Sequence, residues 1–437
     1  MDSTHKMRVA MLCHFSNPKV RTKLPLVSRR VENFILKCLF SKEAGYLDFA
    51  LWNEGIIQCL SNSDEVELFV ISPHFGLKKK IYKYKEGPVN YIFFRGTPLF
   101  PFDYIDRLFK ISQSGDYGSN RIIIKKEIEL IRPDLILLVG AENPYYSISV
   151  LDIDNIPVFL QCQTVYSNPE RKQLSGNVDL YRWKIEQKIF EKTLYYACNG
   201  TMYNNLIKKY NPQAIVFRRS WPSKPFPQIV HQQKKYDFVF FAHYLSIKKG
   251  FDNAIEAIAI ASRTKPDIKL LAIGAFDKDK HTFLNRINKL GIERNIIFQS
   301  PLVEYEDLLK CVTQARFALL PVKLDVVSGT ITEAMRLGLP IVTCKTSGTP
   351  LLNEKRKTVL ISDIGDNETL AHNMIDLMDS PELVQDLKTN MHIFLNEKTR
   401  NKDNSRVFVE QLLSVINHHY YGIPIPQEQL FDHNKDE

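Results

Sequence analysis

Two hydrophobic rhythms alternate along this chain. Short apolar runs rich in Val, Ile, Leu and Phe are separated by longer stretches in which apolar residues recur every three or four positions. The first rhythm predicts strands buried on both faces, the second amphipathic helices. In the first half, residues 7–13, 66–71, 91–94, 134–139 and 156–160 read as strands, and 47–60 and 180–196 as helices. A basic segment, 17–46, separates the first strand from its helix. It exceeds the roughly two to six residues of an ordinary βα loop, and long loops at the C-terminal edge of a parallel sheet often carry function. Between 218 and 237 the composition changes: Pro222, Pro225 and Pro227 crowd ahead of Gln232, Gln233, Lys234 and Lys235, as in a linker. The alternation then restarts, with strands at 238–242, 269–273, 296–298, 317–322 and 341–343 and helices at 250–263, 304–315, 366–378 and 381–396. Such alternation implies α/β architecture, two doubly wound parallel sheets with helices on both faces. The expected organisation is an N-terminal domain over 1–220, a linker over 221–236, a C-terminal domain over 237–410 and a tail, 411–437, available to pack on the first domain. Ligands of such sheets bind at their C-terminal edges, so the active site is expected in a cleft between the domains.

At 437 residues the length suits two or three domains. Hydrophobic content of 44% and charged content of 24% fit a soluble globular protein. No apolar run approaches the roughly 18 residues of a membrane helix, and residues 1–7 lead into a strand-like run instead of a signal-peptide core. Seven cysteines, at 13, 38, 59, 162, 198, 311 and 344, include no CxxC pair. They read as reduced core residues of a cytoplasmic protein, with no disulfide frame and no metal site. The net charge of +9 suits an anionic ligand, an anionic membrane surface or nucleic acid. Zinc-finger, RNA-recognition and long basic-helix signatures are absent, which argues against nucleic acid. Basic residues cluster at Lys19, Arg21, Lys23, Arg29 and Arg30, and again at Lys78, Lys79, Lys80, Lys83 and Lys85. The basic–apolar stretch 19–31 raises the expectation of peripheral contact with an anionic membrane, at the inner face of the plasma membrane.

The chemistry concentrates between the strands at 317–322 and 341–343. Asp325 and Glu333 bracket Ser328, Gly329 and Thr330, and Gly338 and Pro340 follow. Locally this is strand, small-residue loop, short helix, glycine stop, strand. The amides of Ser328, Gly329 and Thr330 at a helix start suit an anion, with the two acids contacting groups around it. The same residues also fit a capping box, with Thr330 as N-cap and Glu333 at the third helical position. Both readings of Glu333 stand at this point.

Asp325, seven intervening residues and Glu333, followed by Ala334, Met335, Gly338, Pro340, Ile341 and Val342, resemble the acidic–seven–Glu signature of retaining glycosyltransferases of family four, which have the GT-B fold. Other elements resemble that family in order. They are the 240–257 run with Lys249-Gly250, the strand ending in Gly274, the 297–303 segment with Leu302, and the Thr346–Glu354 loop with Gly348. The resemblance covers about residues 236–400. The first half matches weakly. There, the strand and loop carrying Gly140, Glu142 and Pro144 look like those that line the acceptor side in related bacterial enzymes, and the run through Gln163 looks like the next strand. Two positions depart from the family pattern. Asp325 stands where Glu is usual, its carboxylate about 1.5 Å closer to the backbone. The usual Arg before the Lys-Gly pair is missing, with His243 or Tyr244 near its place and Lys248 beside Lys249.

The resemblance implies two Rossmann-like domains and a metal-independent, retaining transfer of a sugar from a nucleoside-diphosphate sugar, UDP- or GDP-linked, with no other cofactor. It has Asp325 hold donor-sugar hydroxyls, Glu333 the ribose, and Lys249 with the helix start the diphosphate, where charge builds as it leaves. His243, Lys248 and Leu302 complete the donor side, and Gly140, Glu142 and His14 the acceptor side. The expected acceptor is a cell-surface polysaccharide or a lipid-linked saccharide. A GT-B sugar-nucleotide epimerase, or an inactive sugar-nucleotide-binding scaffold, is the alternative.

Overall fold

The computed structural model describes residues 6–28, 50, 52–99, 102–168, 179–198, 200–222, 226–276, 279–302, 304–324, 327–400 and 404–432. The chain divides into two compact units, Met1–Lys224 with Asp403–Glu437, and Pro225–Lys402.

The first unit is built on an eight-stranded sheet in the order β3-β4-β2-β1-β5-β6-β7-β8. These are β1 Met7–Leu12, β2 Val66–Pro73, β3 Ile81–Glu86, β4 Val89–Phe94, β5 Leu135–Val139, β6 Val158–Gln161, β7 Tyr195–Cys198 and β8 Ile215–Arg218. All neighbours pair in parallel except β3, which runs antiparallel to β4 at the edge. The apolar runs at 7–13, 66–71, 91–94, 134–139 and 156–160 supply β1, β2, β4, β5 and β6. The expected helix 180–196 is corrected: it ends at Lys192, where Thr193 turns extended, and Tyr195 and Tyr196 enter the sheet as fully buried β7 residues.

The helix Asn404–Tyr421, within which the expected boundary at 410 falls, lies in the first unit. Phe408, Leu412, Val415 and Ile416 join the core beneath β1 and β5, together with Ile56, Ile57 and Leu60 of the helix Asn53–Ser61. Polar contacts fix it. Gln411 Nε2 donates to the Arg218 carbonyl at 2.9 Å and Gln411 Oε1 accepts from the Ser220 hydroxyl at 2.5 Å. Farther on, Leu430 bridges Phe217, and Phe431 donates to the Val216 carbonyl at 2.8 Å, covering the edge that β8 would otherwise offer to another strand.

The second unit has a fully parallel six-stranded sheet, ordered β11-β10-β9-β12-β13-β14. Its strands are β9 Tyr236–Leu245, β10 Leu270–Phe276, β11 Ile296–Gln299, β12 Ala315–Leu320, β13 Ile341–Cys344 and β14 Leu360–Ser362. The unbroken apolar runs reflect burial on both faces. Phe238 and Phe240 of β9, Leu270 and Ala272 of β10, and Phe317 and Leu319 of β12 face one core, under the helices Phe251–Ala261 and Asn367–Asp379. Val239, Phe241, Leu271, Ile273, Ala318 and Leu320 face the other, under Tyr305–Val312 and Gly329–Arg336. Each buried Phe or Leu contributes about 1.5–3 kcal/mol, so this period-two sorting fixes the strand register.

Of the described cysteines, Cys13, Cys59, Cys162, Cys198 and Cys344 are buried free thiols and Cys311 is half-buried; Cys38 lies outside the described residues. Among the described residues no helix is long and apolar enough to cross a membrane.

Candidate functional site

In the second unit β12 delivers the chain to the helix Gly329–Arg336. Ser328, 3% exposed, is its N-cap, with φ −65° and ψ 140°. The capping-box reading is thereby corrected: the helix starts earlier than it requires, and Glu333 sits beyond the first turn. The Ser328 side chain makes no cap hydrogen bond and pairs instead with the Thr330 hydroxyl at 3.0 Å. The amides of Gly329 and Thr330 belong to a first turn that has no intrahelical acceptors. At the far end Gly338, φ +65°, and Leu339 close the helix by donating to the Met335 and Ala334 carbonyls at 2.9 and 3.0 Å.

Lys249 meets this helix start. Its ammonium lies 3.5 Å from Ser328 Oγ. Lys248 and Lys249 occupy a 3-10 turn, Ile247–Lys249, and the following helix begins at Phe251, so the expected helix start at 250 shifts by one. Gly250 makes the arrangement feasible. Its φ is +79°, and a Cβ there would stand 1.7 Å from the Pro321 carbonyl oxygen. The turn therefore packs directly on the end of β12. Lys323 reinforces the contact, its N–H donating to the Lys248 carbonyl at 3.2 Å and its ammonium to Asp252 at 2.5 Å. Asp325 lies outside the described residues.

Glu333 turns to Tyr305, whose hydroxyl donates to its Oε1 at 2.9 Å. Burial pushes the carboxyl above its ordinary range, and the Tyr305 hydrogen bond and Arg336 oppose that rise. Burial and the neighbouring Glu333 charge push the Tyr305 phenol upward. Tyr305 was not singled out from the sequence; its only signal there is an aromatic residue at the start of the helix after β11. Leu302 is half-buried in the loop leading to that helix. His243 and Tyr244 belong to β9, which runs past the expected end at 242, and are exposed with their rings edge to face at 4.4 Å. The Lys248 side chain is exposed. The Thr346–Thr349 loop is tied by its own hydroxyls: Thr349 Oγ1 accepts from the Thr346 N–H at 2.8 Å and donates to the Cys344 carbonyl at 2.9 Å.

In the first unit three expected residues sit past the C-terminal ends of β1 and β5. The His14 ring nitrogen Nδ1 shares a hydrogen bond with the Tyr145 hydroxyl at 2.8 Å, and its carbonyl accepts from Asn53 at 3.0 Å. Burial, then the nearby His74, lowers its pKa to about 3, so the ring is neutral at physiological pH. Gly140, φ +81°, follows β5, and a Cβ there would lie 2.4 Å from Glu142 Oε2. Glu142 is buried, and Arg182 clamps its segment, with Nε donating to the Glu142 carbonyl at 2.7 Å and Nη2 to Asn143 Oδ1 at 2.8 Å. Arg182 and Tyr145 were not anticipated. Neither spacing nor composition singles them out.

Residues 224–392 match the family described as glycosyl transferases group 1. No curated protein matches the chain. Among solved structures, the sucrose-phosphate synthase of Thermosynechococcus elongatus is 12% identical, over 93% of this chain and 98% of its own, with a TM-score of 0.63. An α,α-trehalose 6-phosphate synthase from Burkholderia multivorans is 11% identical over 97% and 100%, with a TM-score of 0.64. Anabaena HepE, solved in complex with UDP and glucose, is 13% identical over 93% and 100%, with a TM-score of 0.60. At these identities the likeness establishes the fold. The chain has the GT-B class, with two parallel-sheet α/β units.

Proposed function

Taking residues 224–392 as a glycosyl transferases group 1 domain on a GT-B chain, we propose that the protein is a retaining glycosyltransferase that needs no metal. It moves a sugar from a UDP- or GDP-linked donor to a cell-surface polysaccharide or a lipid-linked saccharide. The observation that carries this reading is the approach of the Lys249 ammonium to Ser328 at the start of the helix Gly329–Arg336. A cation and a row of first-turn amides converge there, which suits a diphosphate.

In this mechanism the donor diphosphate rests on the amides of Ser328, Gly329 and Thr330. Lys249 neutralises the charge that grows on the leaving phosphate oxygen as the glycosidic C–O bond breaks. The anomeric carbon gains oxocarbenium character. The acceptor hydroxyl forms the new C–O bond on the face the diphosphate leaves, and its proton passes to the departing phosphate oxygen. Glu333, held by Tyr305, receives the ribose hydroxyls, and Asp325 holds hydroxyls of the donor sugar. His243, Lys248 and Leu302 flank the donor. His14, Gly140 and Glu142 contact the acceptor. A neutral His14 contributes hydrogen bonding without charge.

The test is nucleotide binding and turnover. UDP and GDP are titrated against the full chain and followed by melting temperature, with CDP and ADP for comparison. UDP, the nucleotide in the HepE complex, is the first choice. One of the first pair is expected to stabilise the protein. Lys249→Ala is expected to lower turnover of the matching donor on the order of 100-fold. If neither nucleotide binds and Glu333→Ala changes nothing, the reading fails.

A further inference from the structure

The helix Phe102–Phe109 is turned inside out. Its outer side carries Phe102, Tyr104, Ile105, Leu108 and Phe109, and Ile111 follows; Leu108 and Phe109 are 70% and 67% exposed. Asp103 and Asp106 point inward, 5% and 7% exposed. At about 100° per residue the outward apolar positions sweep roughly 160° of arc, and both acids fall outside it. Hydrogen bonds lock this orientation. Asp106 Oδ1 accepts from the Ser112 N–H at 2.7 Å and from its hydroxyl at 2.6 Å. A helix that buries its acids and shows solvent a contiguous apolar face marks an interaction surface.

A cationic cluster is tied to the segment that leads into this helix. Lys78, Lys79 and Lys80 are exposed in the turn between β2 and β3, at the C-terminal edge of the sheet. Arg95, just past β4, is bound to that turn: its N–H donates to the Lys80 carbonyl and its guanidinium to the Lys78 carbonyl, each at 3.0 Å. Arg95 lies seven positions before Phe102, so at most roughly 25 Å of chain separates the lysine turn from the apolar helix. Lys110, at the end of the helix, is also exposed. Asp116, the next acid along the chain after Asp106, is exposed. The described part of the stretch 19–31 offers cations, but Val20 and Leu24 there are core residues, 2% and 7% exposed. It therefore presents little apolar surface of its own.

We infer that the first unit docks on an anionic lipid surface through residues 102–111, with Lys78, Lys79 and Lys80 against the phosphates. Large apolar side chains set at the headgroup boundary and a flanking cationic cluster are the two contributions that hold a peripheral protein on such a surface. None of these residues is a donor-site residue, and the test does not depend on nucleotide binding.

The experiment floats the full chain with vesicles of phosphatidylcholine alone and of phosphatidylcholine with phosphatidylglycerol, at low and high salt. The wild type is expected on the anionic vesicles, with at least about tenfold preference that weakens with salt. Leu108→Asp with Phe109→Asp, and separately Lys78→Glu, Lys79→Glu and Lys80→Glu together, are expected to weaken binding on the order of 100-fold. Their melting temperatures should hold, because these side chains are exposed. Absence of wild-type binding to both vesicles overturns the inference, and so does binding that neither variant changes. A solution dimer that the Leu108/Phe109 variant dissolves, without vesicle binding, also overturns it and assigns the face to a second copy of the chain.

Discussion

The Tyr305 hydroxyl donates to Glu333 Oε1 at 2.9 Å, joining the helix after β11 to the helix after β12 across the C-terminal edge of the second sheet. The carboxylate is thereby held as an acceptor within a site whose burial favours its protonated form.

Tyr305→Phe removes a charge-assisted hydrogen bond worth about 1.5–3 kcal/mol to the ionised carboxylate. The Glu333 pKa then rises further. A carboxylate that receives ribose hydroxyls loses affinity as it protonates, so UDP or GDP binding in the variant should begin to fail at a higher pH than in the wild type. Calorimetric titrations across the acid range check this, and superimposable pH profiles would refute the coupling.

Gly250→Ala places a methyl group 1.7 Å from the Pro321 carbonyl oxygen at a backbone φ of +79°. Both the overlap and the left-handed conformation must be relieved by moving the Lys249 turn away from β12. We expect a loss of more than about 3 kcal/mol and a collapse of nucleotide-induced stabilisation. Thermal unfolding with and without nucleotide measures both.

His14 ties the first unit to pH. Its folded pKa of about 3 lies below its ordinary 6.5, so the unfolded chain binds the proton first. The stabilisation is complete above about 6.5 and is lost as pH falls towards 3. One proton corresponds to a slope of about 1.4 kcal/mol per pH unit. His14→Gln should flatten that part of the stability curve, as read from urea unfolding at stepped pH. An unchanged slope would show that the ring titrates normally.

Leu412→Ala, in the helix Asn404–Tyr421, opens a cavity in the first unit's core and should cost about 2–5 kcal/mol. Nucleotide binding by the second unit should survive. A loss of nucleotide affinity equal to that of Lys249→Ala would contradict the division of the core.

Much of the second unit was legible because its strands are buried on both faces, and Phe238–Phe241 reads as strand whatever surrounds it. Edge elements were not. β3 carries Lys83, Lys85 and Glu86 and is half exposed, so its residues read as a basic cluster. Tyr195–Cys198 follows a helix after two residues, and apolar continuity hid the break. At the site, Thr330 and Glu333 satisfy a capping pattern that the backbone does not use, since Ser328 is the N-cap of a helix that begins at Gly329 and Tyr305 takes the acid. The helix 102–109 was not expected from the sequence, and periodicity alone does not say which of its sides faces inward. That depends on Ser112 reaching Asp106, a contact made only in the folded chain.

The helix Asn404–Tyr421 has one more consequence. The first unit's core needs Phe408, Leu412 and Val415, which lie beyond the whole of the second unit in the chain. During synthesis the β1–β8 sheet emerges before the second unit yet waits, with part of its apolar face uncovered, until residues 404–421 leave the ribosome. The second unit, contiguous in sequence, can finish in the meantime. Of the two units, the one whose sheet is made first matures last.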